Sequence, residues 1–593
     1  MGALWLLVYT NSTPEPITSD FFKHFLLTSN RGSQYTDIVT KSSVDIYKNE
    51  SIKRQAKQVL SRHNFLRYSR HHVLHGFHRM SITDASLNAI QPFQDSSETT
   101  VLMCNGELYN YQSLVSNYSL TGLSSTSDVE VLIPLYKHFT SENFSDMLNT
   151  LHGEFSLVVT ENVETFQLSS LQMFAATDLL GTKSMYLLYN TTLQLYMVFS
   201  ELKNVPMHIL KNTDYTILQF PPASFWSYQN DPTAFVEYYN FTPYYSLEQL
   251  TYITTTPDSL SSLYQEIVEV FTSSVVEKFS FGSNGYSSFL LSGGFDSSLI
   301  LSIVVKSLSD NNQLDLLDNA HVFTVSDCEL SADTISAIQL IDFLNDTYDL
   351  SLNHHIVYIS NTELIASKLD DIVYITETYD SDVIVDSVFY YFLYTHIKNN
   401  KDTLGNFNSI LTGDGLDEYC GYDSLVDLDN QQFQEKSIEL LKHMHATDLL
   451  KTDKISGFFG FEARYPFLDK NVMNLLLNIH PSLKKKISFN VTQLPVEKYI
   501  IRKAFDTGEY MPSSNLWRSH SPISNCLADI KSSLETHYNS VYTLDEFNDF
   551  LTGLPDNLQC IPQTRLDMHL YKLFVKHFSS RTSIVQKRHS PLS

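Results

Sequence analysis

At 593 residues the chain is too long for one hydrophobic core and divides into two or three domains. Its 43% hydrophobic and 18% charged residues are the composition of a folded globular protein, rich in Tyr and Phe and poor in Gly. A formal net charge of −26 with a pI near 5.1 repels phosphate backbones and anionic lipid, which excludes nucleic-acid or membrane-surface binding as the main role.

The apolar start over residues 3–9 is too short to span a membrane and follows no basic stretch, so it reads as a first strand and not as a signal peptide. Short apolar runs separated by Ser, Thr, Asn and Asp turns continue to about residue 235, with strand candidates at 155–160 and 193–199. A Tyr- and Thr-rich stretch over 236–258, containing Pro243 and Pro257, reads as a linker between a domain at 1–235 and one at 259–593. Beyond it, helical patterns at 260–279 and 337–344 alternate with apolar strands at 322–325 and 410–411, which predicts a parallel α/β sheet. Lys484, Lys485 and Lys486 read as a solvated basic loop, and the polar tail from Ser579 is expected to fray. Five cysteines, Cys104, Cys328, Cys420, Cys526 and Cys560, have no CxxC or zinc spacing; so sparse and odd a set fits a reducing compartment, and a cytoplasmic protein is expected.

The most informative string is LSGGFDSS, residues 291–298, between an apolar strand candidate and an apolar helix candidate. Adjacent Gly293 and Gly294 let amides converge on an anion, Ser292, Ser297 and Ser298 add hydroxyls, and a helix N-terminus adds partial positive charge. With no lysine after the glycines it is not the GxxxxGK[ST] pattern; it resembles the SGGxDS loop of PP-loop pyrophosphatases, which implies cleavage of ATP between the α and β phosphates. A second string, LTGDGLDEYCGYD over 411–423, sets Asp414, Asp417, Glu418 and Asp423 among three glycines. Carboxylates beside cradled phosphates suit a shared Mg²⁺, which takes hard oxygen ligands; an acidic surface turn is the bland alternative.

These strings, with SAD (331–333), HH (354–355), ETYD (377–380), FEARYPFLD (461–469) and EKYIIRKAF (497–505), resemble the glutamine-dependent asparagine synthetases, and among them the asparagine synthetase domain-containing proteins. The resemblance implies a C-terminal PP-loop parallel α/β synthetase domain in which ATP and a carboxylate, aspartate in the family, give an acyl-adenylate and pyrophosphate, and ammonia then forms the amide. Carried over by motif, Leu291, Val325, Thr412 and Gly413 would contact ATP, Ser292, Gly293, Gly294, Asp296, Ser297 and Ser298 would hold pyrophosphate, and Asp296 and Asp417 would share magnesium. Asp414 stands where the family has a glutamate that takes the ammonia proton. Two departures touch the acid: Val385 replaces an arginine that would pair with the substrate carboxylate, and His520 replaces a lysine that stabilises the charged intermediate. FEARYPFLD also admits a structural reading, in which a buried Arg464 pairs with an acid.

The first half carries RGS (31–33), HRMSI (78–82), CNGELYNY (104–111), SDVE (127–130), HGEFS (152–156) and TDLLGTKSMY (177–186), similar to class II glutamine amidotransferases. That implies an N-terminal αββα sandwich of the N-terminal-nucleophile glutaminase class, with Arg79 for the glutamine carboxylate, Asn105 and Gly106 for the oxyanion, and Glu107 and Asp128 for the amine and backbone. The family's cysteine nucleophile is missing: Gly2 stands near its place and Cys104 reads as a packed residue. The expectation is an ATP- and Mg²⁺-using ligase that forms an amide from aspartate or a related acid with free ammonia, with glutamine hydrolysis doubtful. The alternative is a non-catalytic scaffold that keeps the fold.

Overall fold

Strand Gly2–Thr10 sets the layers of the first half, because both its faces are apolar. Trp5, Leu7 and Tyr9 enter one core and Leu4, Leu6 and Val8 another, as the alternation of a strand requires. This computed structural model of the chain describes residues 2–10, 15–31, 35–40, 43–48, 71–97, 99–162, 171–229, 241–252, 260–282, 287–326, 331–359, 361–405, 407–485, 496–518 and 524–588. Gly2–Thr10 is the central strand of a seven-stranded antiparallel sheet, between Leu195–Phe199 and His71–Arg79. A six-stranded antiparallel sheet built on Thr100–Leu108, Gly153–Glu161 and Gln172–Thr177 faces it. Leu4, Leu6, Val8 and Phe77 meet Met103, Val158, Met173 and Trp226 between the two.

Helices Tyr111–Tyr118, Leu132–Phe139 and Phe144–Thr150 cover the outer face of the six-stranded sheet. The other helical layer is shared between the halves. Phe21 and Phe25 of helix Glu15–Phe25 pack in one cluster with Ile372, Val388 and Phe574, from helices Thr362–Thr376, Ser381–Asn399 and Arg565–Phe578. The result is the αββα sandwich that the first half implies, with its fourth layer completed by the second half. Of the stretch 236–258, residues 241–252 are described, and Thr242–Pro243 pairs with Ser224–Gln229 at the edge of the six-stranded sheet.

The second half is built on five parallel strands in the spatial order Asn353–Tyr358, His321–Ser326, Ser288–Leu290, Ser409–Leu411, Glu462–Arg464. The order of strand addition reverses between Ser288–Leu290 and Ser409–Leu411, and ligands of open α/β sheets bind at the carboxyl ends of strands at such a switch. Helix Phe295–Asp310 is apolar along its length because Leu299, Leu301, Ile303, Val304 and Val305 are all buried. No described helix is long and apolar enough to cross a membrane.

Two expectations fail. From Ser579 to Arg588 the tail does not fray: Val585 is buried, Arg581 Nε donates to Leu210 O at 2.9 Å, and the Tyr379 hydroxyl donates to Thr582 O at 3.3 Å. Its polar groups find buried partners, which composition alone does not reveal. Lys484 is likewise buried; its Nζ donates to Leu476 O at 2.7 Å and lies 5.4 Å from the Phe433 ring centre, and burial pushes its pKa down to about 8.

Candidate active site

Strand Ser288–Leu290 runs through the glycine turn into helix Phe295–Asp310, with Gly294 as its N-cap. Gly293 has φ +84° and a Cβ there would lie 2.0 Å from Asp333 O, so this position needs glycine. Arg518 and Ser336 brace the turn from behind: Arg518 Nη1 and Ser336 Oγ donate to Gly293 O at 2.9 and 2.8 Å, and Arg518 Nη2 pairs with Asp333 at 2.6 Å. Ser297 Oγ accepts the Ser292 N–H at 3.0 Å, while Ser298 Oγ is buried with no hydrogen-bond partner among the described residues. The opposite wall is Gly413, where a Cβ would come within 2.9 Å of Ser297 N. Leu291 is buried and donates its N–H to Phe323 O at 2.8 Å; Val325 lies two residues further along strand His321–Ser326, packed against core side chains, and Thr412 N–H donates to Arg464 O at 3.0 Å.

Asp296, in the first turn of the helix, and Asp417, at the start of helix Asp417–Cys420, converge on one cation. Lys498 Nζ is 2.6 Å from Asp296 Oδ2 and 2.5 Å from Asp417 Oδ1. Burial alone would push the Lys498 ammonium down; the two carboxylates overcome it and hold it well above the ordinary lysine range. Sequence reasoning missed this lysine, although it sits inside the quoted string EKYIIRKAF. His520 lies outside the described residues.

Next to the cradle is a cluster of acids. Burial pushes the Asp414 carboxyl up, and burial together with Asp448 and Asp417 pushes Glu418 up to about 8. Glu418 is 4% exposed, and its Oε2 has no hydrogen-bond partner among the described residues. Lys451 bridges the facing helices Ser381–Asn399 and Asp448–Phe459, 2.9 Å from Asp386 Oδ2 and 2.7 Å from Asp448 Oδ1. Val385, beside Asp386, is buried in the core and gives the cluster no charge.

The first-half set is also brought together. Asn105 Oδ1 accepts the Gly2 N–H at 2.8 Å, and Gly106, at φ +144°, would put a Cβ 1.9 Å from Glu154 O. Arg79 donates to Ser86 O at 3.2 Å and to Asp84 O; Asp128 accepts the Thr83 hydroxyl and the Leu108 N–H, both at 2.8 Å. Glu107 is buried, and burial with Glu462 and Asp128 nearby pushes its carboxyl well up. Cys104 is fully buried, clasped at its main chain by Gln91, and burial pushes its thiol well up.

Comparison with known families agrees with both halves. A glutamine amidotransferase domain model matches residues 77–206, and an asparagine synthase model matches 282–437 and 426–546. A probable glutamine-hydrolysing asparagine synthetase of Acanthamoeba polyphaga mimivirus is 29% identical over 524 residues, covering 86% of this chain and 87% of that protein. The chain belongs to the asparagine synthetase (glutamine-hydrolysing) family. A probable asparagine synthetase of Dictyostelium discoideum is 29% identical over 74% of each chain, and asparagine synthetase 2 of Oryza sativa subsp. japonica is 28% identical over 75% of this chain and 69% of its own. By family it is an asparagine synthase-type carbon–nitrogen ligase that uses ATP.

In this family member the remaining motif charges join the halves. Arg31 of RGS pairs with Glu201 at 2.8 Å and with Asp453 at 2.6 Å; Glu377 of ETYD accepts the Leu202 and Lys203 N–H groups at 2.8 and 3.0 Å and pairs with Lys454. Arg464 follows its structural reading: fully buried, it donates to Glu462 at 2.9 Å and to the carbonyls of Lys278 and Phe281 at 2.7 and 2.8 Å. His354 donates to or accepts from Thr324 at 2.8 Å, and burial pushes its pKa down to about 4, which suits a neutral packed ring.

Proposed function

We propose that this protein adenylates aspartate or a related amino dicarboxylate and converts it to the amide with free ammonia, without hydrolysing glutamine. The observation that carries the reading is the pairing of the Gly293 turn with Gly413 across the switch between two parallel strands, with Asp296 and Asp417 reaching one cation at its mouth. Leu291, Val325, Thr412 and Gly413 are assigned to the nucleotide, and Ser292, Gly293, Gly294, Asp296, Ser297 and Ser298 to the pyrophosphate. Two carboxylates that share one ammonium at bonding distance fit Mg²⁺, whose charge would neutralise pyrophosphate. Asp414 is assigned to the ammonia proton; a carboxyl raised by burial is a stronger base than a solvated one. His520 is assigned to the charged intermediate by its motif alone.

Glutamine is not the nitrogen source in this reading because position 2 has no nucleophile and no space for one: a Cβ on Gly2 would lie 1.7 Å from His78 O. The free, buried Cys104, Cys420 and Cys560 suit a cytoplasmic site of action. The test is exchange of pyrophosphate into ATP by the full chain, with and without aspartate. Aspartate-dependent exchange that falls on the order of 10²–10³-fold in Asp296→Ala is expected, with no glutamate formed from glutamine. Absence of exchange with any amino-acid carboxylate would leave a scaffold that keeps the fold.

A further inference from the structure

The acidic cluster has a cation that no motif supplies. Arg588, from the tail, lies against Asp386, and its Nη2 is 2.7 Å from Asp448 Oδ1. Its main-chain N–H donates to Asp380 Oδ2 at 3.0 Å, and the preceding Lys587 offers its carbonyl to His443 Nε2 at 2.8 Å. With Val585 buried three residues earlier, the segment is pinned at successive points and the guanidinium is delivered to one place.

We propose that Arg588 is the group that receives a carboxylate of the acid substrate, doing from the tail what Val385 on helix Ser381–Asn399 does not. The proposal rests on the ligase reading above. The reason is charge. The cluster gathers Asp386, Asp414, Glu418 and Asp448, and the described cations that face them are Lys451 and Arg588. A dicarboxylate entering such a set is repelled unless a cation meets it, and burial makes the unmet charge more costly. Lys451 already lies between Asp386 and Asp448 and offers a point charge. Arg588 has five N–H donors in a planar fork, more than its two carboxylate partners use, and its side chain keeps 15% exposure.

The same charge balance names the substrate class. Glu418 Oε2 and the carboxylates of Asp386 and Asp448 are acceptors suited to an ammonium, so the ligand that fits is an amino acid whose carboxylate meets Arg588 and whose ammonium meets these acids.

The experiment measures pyrophosphate exchange against aspartate and against ATP for the full chain and for Arg588→Ala and Arg588→Lys, with aspartate binding followed by calorimetry in the presence of ATP and magnesium. The expected result for Arg588→Ala is a KM for aspartate raised on the order of 10- to 100-fold, with the KM for ATP within twofold and a lowered melting temperature that stays above the assay temperature, and Arg588→Lys between. Wild type that exchanges, with Arg588→Ala keeping its KM for aspartate, overturns the assignment and leaves the ligase reading intact. A KM for ATP that rises in step with that for aspartate marks a structural anchor and overturns it too. Wild type that binds aspartate but exchanges nothing overturns the reaction; the assignment then stands if Arg588→Ala abolishes that binding and falls if it does not. Wild type that neither binds nor exchanges overturns both.

Discussion

The two halves hold their polar strings in different ways. In the first, the side chains assigned to glutamine are occupied by the local fold: Arg79 by the carbonyls of Asp84 and Ser86, Asp128 by Thr83 and the Leu108 N–H, and Asn105 Oδ1 by the Gly2 N–H. Asn105 Nδ2, by contrast, is a buried donor without a hydrogen-bond partner among the described residues. In the second half, Ser298 Oγ in the helix after the glycine turn and Glu418 Oε2 beside Asp417 are buried and unpartnered among the described residues, and Asp296 and Asp417 hold a lysine between them. A satisfied polar group holds a fold, whereas a buried unsatisfied one carries a desolvation cost that a ligand can relieve. The difference supports the proposal that the nucleotide and the acid substrate bind in the second half, where buried polar atoms beside the glycine turn await a partner.

Replacing Asp414 by Asn tests the second half and has the largest expected effect. Amide formation with ammonia should fall about 10²–10⁴-fold, while aspartate-dependent pyrophosphate exchange and the melting temperature stay near wild type. If exchange falls equally, Asp414 acts before the ammonia step and the assignment of its role is wrong. Gly2→Ala tests the first half in the opposite sense. Its Cβ would lie 1.7 Å from His78 O, so the sheet must shift, and a stability loss of about 1–3 kcal/mol is expected by urea unfolding, with exchange unchanged under native conditions. A stable Gly2→Ala protein would show that position 2 is open after all, and would break the contrast between the halves.

Local pattern made much of this legible. The glycine turn, its strand and its helix fall where LSGGFDSS predicts them, and the run over 3–9 is a strand because both of its faces meet apolar layers. Contacts between segments far apart in the chain were not legible. Lys498 is 202 residues from Asp296, and no spacing rule joins them. Arg588 reads as part of a fraying tail because polarity predicts exposure, and the carboxylates that bury it lie on two helices elsewhere. Lys484 misleads for the same reason. The sharing of the fourth layer is equally invisible, since an apolar helix stripe does not name the sheet that it covers.

Glu418→Gln leaves the assigned catalytic groups in place and asks whether the unpartnered acid is a ligand site. The carboxyl is pushed up to about 8 in the folded chain, against about 4.3 for an unperturbed glutamate. Between those values the folded state keeps a proton that the unfolded state has lost, so the stabilisation present at low pH disappears as pH rises through the folded value. The glutamine side chain of the variant cannot ionise and has no such slope. The stability of Glu418→Gln relative to wild type should therefore grow by at least about 1 kcal/mol from pH 5 to pH 9, read from urea midpoints. Lys484 titrates near the top of the same window in both proteins and cancels in the difference. Saturating aspartate with ATP should shrink the difference, because an ammonium held against Glu418 stabilises its ionised form. A difference that persists with ligand bound would mean that the acid faces empty protein, and the contrast between an occupied first pocket and an unsatisfied second one would lose its clearest residue.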